Sequence, residues 1–180
     1  MSEQLELRLS GSGGQGLITA GIILAEAAIK DHKNAIQTQS YGPEARGGAS
    51  KAEVIIGSED IDFPKVTVPN MSLILTQVAC DKYGKDISES GTIIIDDSIE
   101  LPEGVKAKHI FKLPIIEAAR NDIGKEIVAN IIALGVIVEL TNIVTKESLE
   151  ATILKRIPKG TETLNQMALQ KGYEMANQAK

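Results

Sequence analysis

Length, composition and charge narrow the classes of protein to which this chain can belong. The chain has 180 residues, of which 43% are hydrophobic, so it can bury a sizeable core and is predicted to form one domain spanning 1–180. Its net charge of −5 disfavours nucleic acid as a partner, because phosphate neutralisation needs a basic face. The start is polar and acidic, unlike a signal peptide, and no apolar run reaches the ~18 residues of a membrane helix. We therefore expect a cytoplasmic protein without a membrane span.

Strand-like and helix-like segments alternate through the first two thirds of the chain. Strands are predicted at 5–9, 34–38, 51–56, 71–76, 92–95 and 106–111, and helices at 17–30, 78–87, 123–140, 145–156 and 161–178. This order predicts an α/β fold, a three-layer Rossmann-like domain with a mostly parallel sheet and C-terminal helices. Segment 51–56 has little room for a crossover helix before it. An antiparallel position beside the second strand, which would make the sheet mixed, therefore stays open.

The glycine-rich segment Gly11–Gly16 stands between the first strand and the first helix. Backbone N–H groups and the helix dipole at such a position favour an anion such as phosphate. An NAD site would need a carboxylate closing the second strand, which instead ends in Gln37–Gln39, and a Walker A loop would need Lys and Ser or Thr where Leu17–Ile18 stand. The residues leave open another phosphate-bearing ligand, a protein surface, or a tight turn without a ligand.

A second unusual loop, Tyr41–Gly48, follows the second strand. Pro43 fixes its backbone, its glycines relax it, and Arg46 offers a planar cationic group. Strand ends near the switch point of an α/β sheet are where ligands bind, so we expect this loop beside the first one. The alternative is a structured loop in which Arg46 pairs with Glu44 or Glu53.

Other polar or reactive residues give no catalytic constellation. One cysteine and two histidines exclude a disulfide framework, a zinc site and an iron–sulfur cluster held by this chain alone. Cys80 is predicted to be a small buried residue rather than a nucleophile, Asp96 and Asp97 to cap a turn, and His109 to be structural. Asn130, on an otherwise apolar helix, is either a buried specificity contact or a partner-facing residue.

Four segments, in chain order, closely resemble the gamma subunit of 2-oxoacid:ferredoxin (acceptor) oxidoreductases. They are Gly11–Gly16, Ala20–Ala25, Gln39–Gly48 with Ala52–Val54, and Asn130–Gly135. Within that family the chain looks most like the gamma subunits of the 2-oxoglutarate enzymes. The resemblance implies a multisubunit oxidoreductase that oxidatively decarboxylates a 2-oxoacid to its acyl-CoA and reduces ferredoxin or a similar acceptor.

The resemblance also implies how the work is divided among the subunits. Thiamine diphosphate belongs on the alpha and beta subunits and iron–sulfur clusters on partner chains, while this chain contributes to coenzyme A binding and assembly and is not active alone. It implies no catalytic residue here, and coenzyme A contacts from Gly11, Gly13, Gly14, Gln15, Gly16, Tyr41, Arg46, Gly47 and Gly48. A structural scaffold without cofactor contact, an independent nucleotide-binding protein, and a homo-oligomer of the isolated chain stay open as alternatives.

Overall fold

The computed structural model describes residues 4–40 and 48–180. The strands are β1 (Leu5–Ser12), β2 (Asn34–Gln39), β3 (Ala49–Gly57), β4 (Met71–Ile74), β5 (Thr92–Asp96) and β6 (His109–Leu113). The helices are α1 (Leu17–Lys30), α2 (Gln77–Tyr83), α3 (Ile115–Glu117), α4 (Ala129–Thr141), α5 (Lys146–Arg156) and α6 (Glu162–Ala179). A π-helical turn (Ala118–Ile123) and a 3₁₀ turn (Glu126–Val128) lie between α3 and α4.

A mixed sheet with the strand order β2-β3-β1-β4-β5-β6 forms the middle layer. β1, β4, β5 and β6 are parallel, whereas β3 runs antiparallel to both of its neighbours, β1 and β2. The antiparallel arrangement left open for segment 51–56 is therefore confirmed. It follows from the short link between β2 and β3, which is far too short for a helical crossover.

Helices cover both faces of this sheet, as the alternation of elements predicted. On β5, Ile94 packs in the cluster that contains α1, α4 and α6, while Ile93 and Ile95 pack with Cys80 of α2. Because successive strand residues point to opposite faces, α1 and α2 lie on opposite sides of the sheet. The core is aliphatic on both sides.

A buried ion pair fixes the α2 side of β1. Arg8 is 4% exposed, and its Nε donates to Glu53 at 2.8 Å while its Nη1 donates to Asp86. Burial opposes the charged guanidinium, but the hydrogen bonds to Asp86 and Glu53 outweigh it and raise the pKa of Arg8 above its ordinary value. Glu53 also pairs with Lys51 at 3.0 Å.

Several predicted residues and boundaries can be compared with the structure. Cys80 is fully buried, and Asp96 caps the turn after β5 by accepting a hydrogen bond from Ser98 N at 3.2 Å, so the predictions for Cys80 and Asp96 are confirmed. Asp96 also accepts a hydrogen bond from Ile116 N, in α3, at 2.8 Å. The prediction of a helix from 123 onward is wrong at its start. Gly124, with φ of +87°, interrupts the helical conformation, so α4 begins at Ala129. Ile127 is 58% exposed instead of buried.

No helix among the described residues has the length and apolarity needed to cross a membrane.

Candidate functional site

The glycine segment lies at the topological switch point of the sheet. β1 leads into α1 on one face, and the neighbouring parallel strand β4 leads into α2 on the other face. The connections therefore diverge and leave a crevice outside the carboxyl ends of β1 and β4. In open α/β sheets this is the position at which ligands bind.

The first half of the glycine segment is structural. Gly11 and Ser12 continue β1 and pair with Ser50 and Ala49 of β3. The Gln15 side chain closes the turn, because its Oε1 accepts a hydrogen bond from Ser12 N at 2.8 Å, and a Cβ on Gly11 would lie 2.1 Å from that oxygen. The Gln15 amide, expected to face a ligand, instead donates to Ser12 O at 3.4 Å.

The second half of the segment leaves backbone donors open. Gly13 and Gly14 are exposed, and the first i→i−4 bond of α1 runs from Ala20 N to Gly16 O at 2.9 Å. The amides of residues 17–19 therefore precede any helical partner. Helix α1 has no side-chain cap and no acidic residue in its first turn, whereas in α5 Thr145 caps and Glu147 follows. The positive end of α1 is thus uncompensated, which favours an anionic ligand.

The second predicted loop is anchored at the same edge of the sheet. Ser40 N donates to Lys51 O at 3.3 Å, and Ala49, the residue after Gly48, pairs with Ser12. The two described ends of this loop are therefore neighbours of the glycine segment. Tyr41, Arg46 and Gly47 lie outside the described residues. Glu53, one of the alternative partners considered for Arg46, is already paired with Arg8 and Lys51.

Asn130 of α4 contacts the glycine segment directly. Its side chain is 8% exposed, and its Nδ2 donates to Gly16 O at 3.1 Å. Of the two roles left open for this residue, the structure shows the buried contact within the chain. The two residues are 114 positions apart, so no local sequence pattern could have paired them.

A cavity of about 290 Å³ begins at Gly16 and Thr19. Its walls are largely apolar, with Ile131 and Leu164 among them. The cationic residues that line it are Lys125 and Arg156, of which Arg156 is paired with Glu26. A larger cavity of about 380 Å³, between the end of β6 and α6, is lined by Glu117, Asp122 and Glu174. Because its one lysine, Lys171, is paired with Asp122 at 2.7 Å, that cavity is unsuited to a phosphate.

Similarity to known proteins shows the family of the chain. Residues 6–175 match the family model described as pyruvate ferredoxin/flavodoxin oxidoreductase. The chain belongs to this family. It is 51% identical over 176 residues to the 2-oxoglutarate synthase subunit KorC of Methanocaldococcus jannaschii. The alignment covers 96% of this chain and 94% of the relative.

Two solved structures of oxidoreductases share the fold. The gamma subunit of a keto/oxoacid ferredoxin oxidoreductase from Geobacter sulfurreducens superposes with a TM-score of 0.87 at 49% identity, covering 99% of each chain. The 2-oxoglutarate:ferredoxin oxidoreductase of Magnetococcus marinus, solved with 2-oxoglutarate, coenzyme A and succinyl-CoA bound, also gives a TM-score of 0.87. At 22% identity, with all of this chain matching 32% of that one, this second likeness concerns the fold alone.

The described residues of this member of the family hold no group of side chains suited to a metal ion. Its one cysteine is a poor nucleophile, because burial raises the pKa of the Cys80 thiol and Asp81 adds to the effect. The groups that the described residues present at the switch point are backbone N–H donors, which suit an anion.

Proposed function

We propose that this chain is the gamma subunit of a cytoplasmic 2-oxoglutarate:ferredoxin oxidoreductase and contributes to its coenzyme A site. The enzyme oxidatively decarboxylates 2-oxoglutarate, transfers the succinyl group to the thiol of coenzyme A, and reduces ferredoxin or a similar acceptor. Support for the substrate comes from the relative named 2-oxoglutarate synthase subunit, which is 51% identical over nearly the whole chain.

In that reaction, the role of this chain is to bind the phosphate groups of coenzyme A. The proposal rests on the uncapped, acid-free N-terminus of α1 at the switch point of the sheet. The exposed amides of Gly13 and Gly14, with those of the first turn of α1, suit the diphosphate of coenzyme A. Arg46 and Tyr41, on the loop anchored beside this segment, supply a cation and a packing surface, and Gly47 and Gly48 let the backbone approach.

Redox and carbanion chemistry belong to partner subunits. An iron–sulfur cluster needs several thiolates, and this chain has one cysteine, which is fully buried. We assign thiamine diphosphate to the alpha and beta subunits and the clusters to an iron–sulfur subunit. This chain accordingly carries no catalytic residue and is inactive by itself.

A pair of variants at Gly14 tests the coenzyme A contact in the assembled enzyme. A Cβ on Gly14 would meet no atom within 4 Å, so both Gly14→Asp and its neutral isostere Gly14→Asn fit, and both carry the same backbone strain at φ of +89°. We expect Gly14→Asp to raise KM for coenzyme A about tenfold over Gly14→Asn, because ~1.4 kcal/mol of repulsion from phosphate has that effect. KM for 2-oxoglutarate should be the same in both variants.

The result also separates the alternative functions. Equal KM values for coenzyme A in the two variants and the unchanged enzyme would contradict a phosphate site at this loop and favour a scaffold subunit. Equal increases in both would assign the effect to backbone strain instead of charge, and would likewise count against the proposal.

A further inference from the structure

Asn130 is an anomaly on the helix that carries it. Every residue of α4 from Ala129 to Glu139 is buried, and the run 131–138 is entirely apolar or glycine. A buried amide in such a helix costs stability unless its hydrogen bonds are made. Asn130 makes its bond to another element, at the start of α1, and not within its own helix.

The acceptor of that bond controls the direction of a neighbouring donor. Gly16 O receives two hydrogen bonds, from Ala20 N at 2.9 Å and from Asn130 Nδ2 at 3.1 Å. The peptide that joins Gly16 to Leu17 is planar and trans, so its C=O and N–H point in opposite directions. Holding the carbonyl toward α4 and the helix interior therefore aims the Leu17 N–H out of the helix end.

Gly16 and Asn130 also fit each other sterically. Gly16 is left-handed, with φ of +73°, and a Cβ on it would lie 2.6 Å from Asn130 Nδ2. The close approach that makes the hydrogen bond possible thus needs glycine at 16. A short amide that reaches across from α4 completes the pair.

We propose that Asn130 is a positioning residue for the phosphate site: by holding the Gly16 carbonyl, it fixes the orientation of the backbone donors that receive the diphosphate of coenzyme A. This inference rests on the proposed function and assigns a role to a residue outside the two loops. Asn130 acts through Gly16 and need not touch the ligand.

The test compares two buried asparagines in the assembled enzyme. Asn165 of α6 is 5% exposed, lines the same cavity and donates to a backbone carbonyl, Thr161 O, at 2.9 Å, but it does not contact the glycine segment. We expect Asn130→Ala to raise both KM and the calorimetric Kd for coenzyme A about five- to tenfold, as the loss of one buried hydrogen bond predicts. KM for 2-oxoglutarate should not change, and Asn165→Ala should change neither constant.

A second variant distinguishes the loss of the hydrogen bond from poor folding. Asn130→Leu keeps the number and branching of the side-chain heavy atoms and suits the apolar helix, but it cannot donate, so it should show the same rise in Kd as Asn130→Ala. If Asn130→Leu binds coenzyme A like the unchanged enzyme, or if Asn165→Ala weakens binding equally, the positioning role is overturned. In that case an effect of Gly14→Asp would leave the coenzyme A function standing, whereas silence of both Gly14→Asp and Asn130→Leu would remove both proposals.

Discussion

At the scale of single residues, the burial of Tyr173 of α6 makes the stability of the folded chain depend on pH. The residue is 8% exposed, and its hydroxyl is buried without a hydrogen-bond partner among the described residues. Burial raises the pKa of Tyr173 to about 12, and the negative charges of Glu150, Glu139 and Glu147 add to the rise. The folded chain therefore holds the phenol neutral over a pH range in which the unfolded chain releases its proton.

We expect Tyr173→Phe to remove a pH dependence of stability. Because the pKa is about 10 in the unfolded chain and about 12 in the folded one, the contribution of the neutral phenol is complete below about pH 10 and is lost as pH rises toward 12, at up to ~1.4 kcal/mol per pH unit. The variant should match or exceed the unchanged chain at pH 7, by about 1 kcal/mol, since an unsatisfied buried hydroxyl is removed. Urea unfolding at pH 7 and at pH 11 measures both effects. A variant less stable at pH 7 and equally pH-dependent would contradict the assignment.

The sequence predicted residues whose role is local and missed those whose role is distant. The cap at Asp96 follows from turn chemistry, because its local donor, Ser98 N, is two positions away, and the burial of Cys80 agrees with the small apolar character of cysteine. Gln15 contacts Ser12, three positions away, within the turn itself. Asn130 acts through a contact that sequence spacing does not reveal, because it crosses 114 positions to Gly16.

At the scale of elements, α4 and α6 pack through a glycine contact. A Cβ on Gly135 would lie 2.6 Å from Leu169 O, and one on Gly172 would lie 2.2 Å from Ile132 O, so the two backbones nearly touch. Glycine is unfavourable in the interior of a helix, so both helices lose some intrinsic stability at these positions. The close packing of α4 on α6 offsets that loss.

We expect Gly172→Ala to destabilise the chain by about 1–3 kcal/mol, because the added methyl would collide with a backbone carbonyl that cannot move without separating the helices. Where a helix has free space around the glycine, the same substitution stabilises it by about 1 kcal/mol. A destabilised Gly172→Ala chain would therefore show that the methyl group collides with α4. Gly21→Ala on α1 is the control, since its Cβ would lie 3.3 Å from Ala52 Cβ, and it should change stability less. Chemical unfolding of the three chains measures the difference; a Gly172→Ala chain as stable as the original would show that the helices can part freely.

The elements themselves were largely predictable because their hydrophobic periods are clear. Helix α1 has the predicted bounds, and all six predicted strands exist within a few residues. The errors lie where backbone geometry overrides hydrophobic spacing. The glycines at the end of β1 extend the strand to Ser12, and Gly124 with the π-helical turn replaces the expected start of α4. Neither is visible in the pattern of apolar residues.

At the scale of the whole molecule, the features assigned to ligand binding lie together at one end of the strands. The carboxyl end of β1, the N-terminus of α1, the anchored ends of the 41–47 loop and the Asn130 contact all lie there, although they come from four parts of the chain. The acidic cavity beside α6 lies at the carboxyl end of β6, three strands away from β1. Because the chain has a net charge of −5, phosphate ligands should be attracted by these local backbone donors and not by the overall charge.

This arrangement predicts that the isolated chain is stabilised by coenzyme A but not by NAD. NAD binding in Rossmann-like folds uses a carboxylate at the end of the second strand, and β2 ends in Gln37–Gln39. With coenzyme A at 100 times its Kd, stabilisation by ~2.7 kcal/mol should raise Tm by roughly 5–10 °C for a chain of this size. A thermal melt with coenzyme A, NAD and ATP measures the preference, and at the same ligand concentration Gly14→Asp should roughly halve the coenzyme A shift seen with Gly14→Asn. An equal shift with all three ligands would favour an independent nucleotide-binding protein. No shift with coenzyme A, combined with unchanged KM in the assembled Gly14→Asp enzyme, would favour a scaffold.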